Sequence, residues 1–366
     1  MNHSTQQNQH AYPHLFTPLT LGAITLPNRI LMAPLTRGRT EQDHIPTALM
    51  AQHYAQRASS GLLIAEATMA MEGCSAFYKE PGIYSAAQIA GWKTVTDAVH
   101  AKDGRIFLQI WHGGRACHPA LNNGNVPVSA SALAITDDEV HTPQGKLPYT
   151  VPKALTLDEI ADIIQGFKQA ALNAQAAGFD GVEVHGANGY LLDQFLRDGS
   201  NQRTDVYGGS IPNRARLLLE VLDVVCQVWG SDRVGLRISP VNSFNSMQDS
   251  QPIELTRWLS TELNQFNLAY LHVMRSDFLG LQKQDILTAV QQNYHGNLIG
   301  NMGYNAQEAE TAIAQNQLSA VAFGVPYLAN PDLPERIKAG APLNPADPST
   351  FYTPGAKGYN DYPFMD

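Results

Sequence analysis

Short apolar runs recur along the chain, each closed by a polar or glycine-containing turn and then by a segment with helical spacing. The runs are RILMAPL (29–35), GLLIAEAT (61–68), RIFLQIW (105–111), DGVEVHG (180–186), RVGLRISP (233–240), AYLHVM (269–274), NLIGNM (297–302) and AVAFG (320–324). Their continuous apolar character predicts parallel strands buried on both faces. Segments 46–59, 86–104, 155–178, 211–230, 252–266 and 305–316 read as helices. The third opens with Thr156 three residues before Glu159, a capping-box spacing, and reaches Gly178 just before the next strand. Such β–α alternation over roughly 300 residues predicts an α/β fold, a single (β/α)8 TIM barrel spanning 1–366. An open doubly wound sheet is the alternative, but no GxGxxG follows the first strand, so its dinucleotide-binding form lacks its fingerprint. Segment 112–154, after the third strand, is expected to be an excursion capping the barrel mouth. The aromatic-rich tail FYTPGAKGYNDYPFMD should pack back onto the barrel, and the polar residues 1–12 should form a flexible tail.

Composition narrows the partners. The 366 residues are 44% hydrophobic and 16% charged, normal for a globular chain with a sizeable core. A formal net charge of -9 argues against broad nucleic-acid binding, which leans on Lys and Arg to neutralise phosphates. Cys74, Cys117 and Cys226 are scattered without a CxxC, so neither a zinc site nor an iron–sulfur cluster is indicated, and free thiols in a reducing compartment are expected. No apolar stretch approaches the roughly 20 residues that span a bilayer, and MNHSTQQNQH lacks a signal peptide's apolar run. The expectation is a cytoplasmic monomer or homodimer acting on a small molecule, without membrane, nucleic-acid or metal partners.

Barrel enzymes carry their chemistry at the C-terminal ends of the strands. Those ends present Pro34, Leu35 and Thr36; Ala67; Gln109 and Trp111; His185 with Asn188 and Tyr190; Arg237; Asn301; and Gly324. Carboxylates are sparse there, with Glu66 and Glu183 inside strands, so a metal site or paired-carboxylate glycosidase is not indicated. No GxSxG occurs, and HVMRSD carries Arg275 where a Schiff-base aldolase would need lysine. Donors without a nucleophile imply a cofactor that carries the reactivity. GNMG (300–303) and FGVP (323–326) suit phosphate binding by backbone N–H groups.

Segments 15–37, 66–68, 109–115, 127–132, 183–196, 200–221, 237–240, 323–333 and 351–363 resemble, in order and with compatible spacing, the old yellow enzyme family of FMN-dependent ene-reductases. The similarity is greatest to its bacterial branch of N-ethylmaleimide, nitrate-ester and morphinone reductases. That resemblance implies bound FMN and NAD(P)H as reductant. It implies that Thr36 bonds the flavin C4 carbonyl oxygen, that Pro34, Leu35 and Ala67 contact the ring through backbone, and that Gln109 bonds its pyrimidine edge. Arg237 is implied beside N1 and O2, where a reduced flavin is anionic, and Asn301, Met302, Gly324 and Val325 in the phosphate loops. His185 and Asn188 would grip a substrate carbonyl or nitro oxygen, and Tyr190 would protonate the α-carbon. Larger flavin barrels of the dienoyl-CoA reductase type would need a cysteine cluster and further domains. A degenerate barrel that only binds flavin would not need Tyr190.

The chain departs from the family at several points. The phosphate-binding arginine that usually follows the glycine of the last strand is Val325 here, followed by Pro326, so its contacts must shift to backbone groups or another cation. Phe77 stands where a tyrosine often lies, and Phe278 where some relatives carry tryptophan; with Trp111 they are expected to wall the substrate site. Arg115 and SNQRTDVYGGS are expected to hold loops, and His112 is given no catalytic role.

Overall fold

The computed structural model describes residues 11–136 and 138–365. The expected flexible tail lies outside them apart from Ala11 and Tyr12, and Tyr12 packs against the core. Eight parallel strands close into a barrel: β1 (Ile30–Met32), β2 (Leu63–Met69), β3 (Ile106–Trp111), β4 (Gly181–Gly186), β5 (Val234–Ile238), β6 (Tyr270–Met274), β7 (Leu298–Asn301) and β8 (Ala320–Phe323). Each strand pairs with its sequence neighbours, and β8 returns to β1. The outer layer contains α1 (Ala48–Gln56), α2 (Ala86–His100), α3 (Leu157–Ala176), α4 (Leu191–Leu196), α5 (Ile211–Trp229), α6 (Pro252–Leu263), α7 (Ile286–Asn293), α8 (Ala306–Ala314), α9 (Val325–Ala329) and α10 (Leu333–Ala339). The capping box read at Thr156 and Glu159 opens α3. β1 is shorter than its apolar run because Pro34 has no N–H to continue the ladder. The run PIELTRWLSTELNQF ends as α6 plus a 3-10 turn.

Two interiors are built from one alternation. Ile106, Leu108 and Ile110 of β3, and Val182 and Val184 of β4, face the helices. The alternate positions face into the barrel, whose lower half holds Leu31, Leu62, Ile64, Phe107, Tyr270 and Ile299, all fully buried. Glycine makes this packing possible: a Cβ at Gly235 would lie 2.2 Å from the Tyr270 ring, and one at Gly181 would lie 2.4 Å from the Phe107 ring. A hairpin, Leu19–Leu21 with Ile24–Leu26, adds its leucines to this cluster and closes the floor.

The excursion caps the mouth as expected. It contains a two-stranded hairpin, Glu139–Thr142 with Gly145–Pro148, and a short parallel pair, Val128–Ser129 with Lys153–Ala154. Gln194 of α4 ties it down, accepting from Arg115 N and Ser129 Oγ and donating to Gly113 O and Gly189 O. The C-terminal tail also packs back: the Tyr359 ring stacks on His53 at 3.9 Å, and Arg37 and Arg39 donate to Phe351 O. Among the described residues, no helix is long and apolar enough to cross a membrane.

Candidate active site

Above the apolar floor, the next inward position becomes polar on β3, β6 and β7. Gln109 lies two residues above Phe107, His272 two above Tyr270, and Asn301 two above Ile299. Glu183, fully buried on β4, accepts from Gln109 Nε2 at 2.7 Å and from His272 Nδ1 at 2.8 Å. Burial raises its carboxyl, but His272 and the Arg237 guanidinium outweigh that and hold it below its usual value. An ionised carboxylate only accepts, so it takes the Gln109 NH2 and leaves the Gln109 carbonyl oxygen for another donor. Glu183 has a clear part in this layer that the sequence reading missed. The available signal was the alternation of Gly181, Glu183 and His185 with valines, which marks them as one inward face.

Arg237 on β5 is buried and donates through Nη2 to Asn301 Oδ1 at 2.8 Å; Asn301 Nδ2 in turn donates to Ala322 O. His185 pairs in register with Arg237 at the top of β4. Burial, then Arg237 and His272, push the His185 imidazole well below its ordinary range, so it is neutral. Trp111 is fully buried, with ring centroids 6.1 Å from His185 and 4.3 Å edge-on to Tyr190. Burial, followed by Tyr149 and Glu80, pushes the Tyr190 phenol well above 10, so it keeps its proton.

Asn188 sits in the turn after β4 with a left-handed backbone (φ 60°), followed by Gly189 at φ 73°. Asparagine and glycine are the residues that tolerate this region. Ser239 Oγ accepts from its N–H at 2.8 Å, and Asn245 Nδ2 donates to its carbonyl at 2.9 Å. The sequence thus brings His185, Asn188 and Tyr190 to one corner of the mouth, and the loop after β5 supplies Asn242 and Asn245, which sequence reasoning did not single out. Only the fold makes those two neighbours of the turn.

Over this corner lies a cavity of about 380 Å³ lined by Thr36, Phe77, Tyr149, Tyr190, Phe244 and Tyr352, with Asp138–Thr142 of the hairpin across it. Phe77 lines it, and Trp111 stands behind Tyr190. Phe278 does not line it: its ring is 59% exposed and meets Phe244 edge-on. The wall position on that side is Phe244, because the loop after β5 lies between Phe278 and the cavity. Pro34, Leu35 and Thr36 follow β1, and Ala67 lies near the end of β2. Val325 opens α9 with its side chain half exposed. At the neighbouring turn, Met302 (φ 84°) and Gly303 (φ 70°) are held by Arg275, which donates to both carbonyls and stacks 3.7 Å from the Tyr304 ring centroid.

Around the mouth, Trp111 Nε1, His185 Nδ1, Arg237 Nε and His272 Nε2 are buried with no partner among the described residues. Buried polar groups are nearly always satisfied in folded proteins, so such a cluster marks a place for a bound group. The free Gln109 carbonyl, an orphaned guanidinium N–H and an open backbone at Gly324, where a Cβ would come no nearer than 3.8 Å to Leu35, fit FMN: a planar ring with donor and acceptor edges, anionic when reduced, on a phosphate tether.

Comparison with known proteins agrees. Residues 14–344 match the NADH:flavin oxidoreductase / NADH oxidase family. The chain is 51% identical over 356 residues to a "Probable flavin mononucleotide-dependent alkene reductase" of Leishmania infantum, covering 96% of this chain and 97% of that protein. It is similar to the old yellow enzyme from Trypanosoma cruzi (44% identity, TM-score 0.94, covering 97% and 100% of the two chains). Morphinone reductase in complex with tetrahydroNAD is similar at 47% identity and TM-score 0.92, covering 97% and 98%. The chain belongs to the NADH:flavin oxidoreductase / NADH oxidase family, as an FMN-dependent oxidoreductase of the old yellow enzyme type.

Proposed function

We propose that the chain is an NAD(P)H-dependent ene-reductase for α,β-unsaturated carbonyls, maleimides and nitroalkenes, with nitrate esters or nitroaromatics as further oxidants. Bound FMN would supply two-electron hydride chemistry, with NAD(P)H as the reductant and an electron-poor alkene as the oxidant of a ping-pong cycle. Gln109 offers the flavin's pyrimidine edge an acceptor fixed by Glu183. Arg237 places a buried positive charge where reduction creates a negative one, which favours the reduced state. Thr36 bonds the C4 oxygen, and Pro34, Leu35 and Ala67 give backbone contacts. The phosphate is held by backbone N–H groups of Asn301, Met302, Gly324 and Val325, and the charge absent at Val325 is supplied by Arg275 at the neighbouring turn.

His185 and Asn188 donate to the substrate oxygen, which draws electron density from the β-carbon. Tyr190 gives its proton to the α-carbon as the hydride arrives. Its raised pKa does not prevent this, because an α-carbon with carbanion character is far more basic than a phenolate. Burial then disfavours the phenolate and drives its reprotonation. The observation that carries the reading is the orphaned His185 nitrogen beside a protonated, cavity-lining Tyr190. The test is anaerobic: NADPH should bleach the yellow protein and 2-cyclohexen-1-one should restore its colour. Deuterated reductant should label the product's β-carbon, and D2O its α-carbon. Bleaching without recolouring by any enone, maleimide or nitroalkene contradicts the reading.

A further inference from the structure

The donor role proposed for Asn188 has a requirement of its own. An asparagine amide has two nearly isosteric ends, one donating and one accepting. Turned the wrong way, it would present a carbonyl oxygen to the substrate oxygen and repel it. Something must choose the orientation, and the turn itself does not, because its hydrogen bonds with Ser239 and Asn245 engage only the Asn188 main chain.

The choice can be traced from a group that has no alternative. The backbone N–H of Phe278, in the loop after β6, can only donate, and it donates to Asn242 Oδ1 at 3.0 Å. Asn242 must then turn its NH2 the other way, and Asn242 Nδ2 donates to Asn188 Oδ1 at 2.9 Å. That fixes the Asn188 carbonyl toward Asn242 and leaves its NH2 as the free end. Asn242 cannot easily move, being 2% exposed and held at its main chain: its N–H donates to Ser239 O and its carbonyl accepts from Arg197 Nη1 at 2.8 Å. Arg197 is itself fixed by a buried ion pair with Asp193. The donor loop is equally constrained, since the Asp277 carboxylate accepts from the N–H groups of Ser243, Leu279, Leu281 and Gln282.

We propose that Asn242 is a positioning residue that sets the polarity of Asn188, relaying the direction of the Phe278 N–H through two amides so that an NH2 faces the substrate oxygen. The inference rests on the donor reading of Asn188 given above. It predicts a dependence on the ligand's chemistry. An enone carbonyl only accepts and needs the NH2 end. The nicotinamide carboxamide carries both an oxygen and an NH2, so it can pair with either end of Asn188.

Asn242→Asp tests this directly. The new carboxylate still accepts from Phe278 N–H but has nothing to donate, so Asn188 must reverse to satisfy it. Rapid mixing of the reduced holoenzyme with 2-cyclohexen-1-one should give an enone dissociation constant raised about tenfold or more. That for NADPH in the reductive half-reaction should move less than about threefold, since one hydrogen bond is exchanged for another. Asn188→Ala alone should weaken the enone comparably, and adding Asn242→Asp to it should cause no further loss, because the relay has nothing left to orient. If Asn188→Ala weakens the enone but Asn242→Asp does not, or if the two losses multiply in the double variant, the relay is wrong. If Asn188→Ala changes nothing, the donor reading itself fails and the relay with it. Should Asn242→Asp not fold, Asn242→Leu keeps the volume and releases both bonds. A smaller loss in the same direction is then expected, and unchanged enone binding overturns the proposal.

Discussion

The lower and upper halves of the barrel interior are made by the same strands, about 6.6 Å apart along each, yet they are opposites. The floor is apolar and closed: Phe107, Tyr270 and Ile299 fill it, two glycines make room, and a hairpin seals it. The mouth is polar and incomplete, with Gln109, Glu183, Arg237, His272 and Asn301 buried together and Arg237 Nε and His272 Nε2 unsatisfied. The floor gains stability from burial, about 1.5–3 kcal/mol for a fully buried large apolar side chain. The mouth gives stability up, since a buried polar group without a partner costs about 1–3 kcal/mol. The difference teaches that the two tasks are separated by height within the barrel, so a substitution should fall on stability or on flavin chemistry according to its layer.

Substitutions at the two levels sharpen that contrast. The largest effect is expected at the floor. Gly235→Ala drives a Cβ into the Tyr270 ring, and overpacking of this kind costs about 3 kcal/mol. Thermal unfolding should fall by several degrees while the protein that remains folded still binds FMN with unchanged affinity; lost affinity with intact stability would erase the distinction. Next, Arg237→Met removes the buried positive charge proposed to sit beside the flavin. FMN affinity should drop about 30-fold, equivalent to roughly 2 kcal/mol, with the flavin-free protein no less stable than before. A stability loss of similar size would mean that Arg237 serves the fold.

The smallest effect concerns pH. Burial pushes the His112 imidazole down to about 3, and its Nδ1 accepts from Gly114 N–H at 3.0 Å, which requires the neutral ring. The unfolded chain titrates near 6.5, so between those values the unfolded state binds more protons. The stabilisation is complete above about 6.5 and is lost as pH falls toward 3. Denaturant unfolding of the wild type should lose about 1 kcal/mol more per pH unit than His112→Gln does between roughly pH 6 and 4.5. Parallel profiles would contradict the assignment.

Much of this was legible in the sequence, for a physical reason. Parallel strands covered on both faces must be apolar on their outward side, so the eight runs stood out, and the glycine-spaced turn after β4 announced His185, Asn188 and Tyr190. What stayed hidden were contacts that depend on the closed barrel. Glu183 read as a stray carboxylate within a strand until closure put it between Gln109 and His272. Asn242 lies 54 residues from Asn188 and has no local mark. The floor hairpin was missed because its strands are three residues each. Helix α7 was passed over although Asp285, which accepts from Thr288 N, caps it in readable fashion. Phe278 was placed on the wall by likeness, and the path of the β5 loop gave that place to Phe244.

The central claim is a division of labour at the mouth, in which one group serves the substrate's carbon and others serve the flavin and the oxygen. Tyr190→Phe tests it by separating the half-reactions in an anaerobic stopped-flow instrument. Flavin reduction by NADPH should stay within about twofold of wild type, because no proton from Tyr190 is needed there. Reoxidation by 2-cyclohexen-1-one should slow by a factor on the order of 100 or more, the usual contribution of a placed general acid. Equal slowing of both halves, or a reoxidation rate unchanged from wild type, would contradict the account.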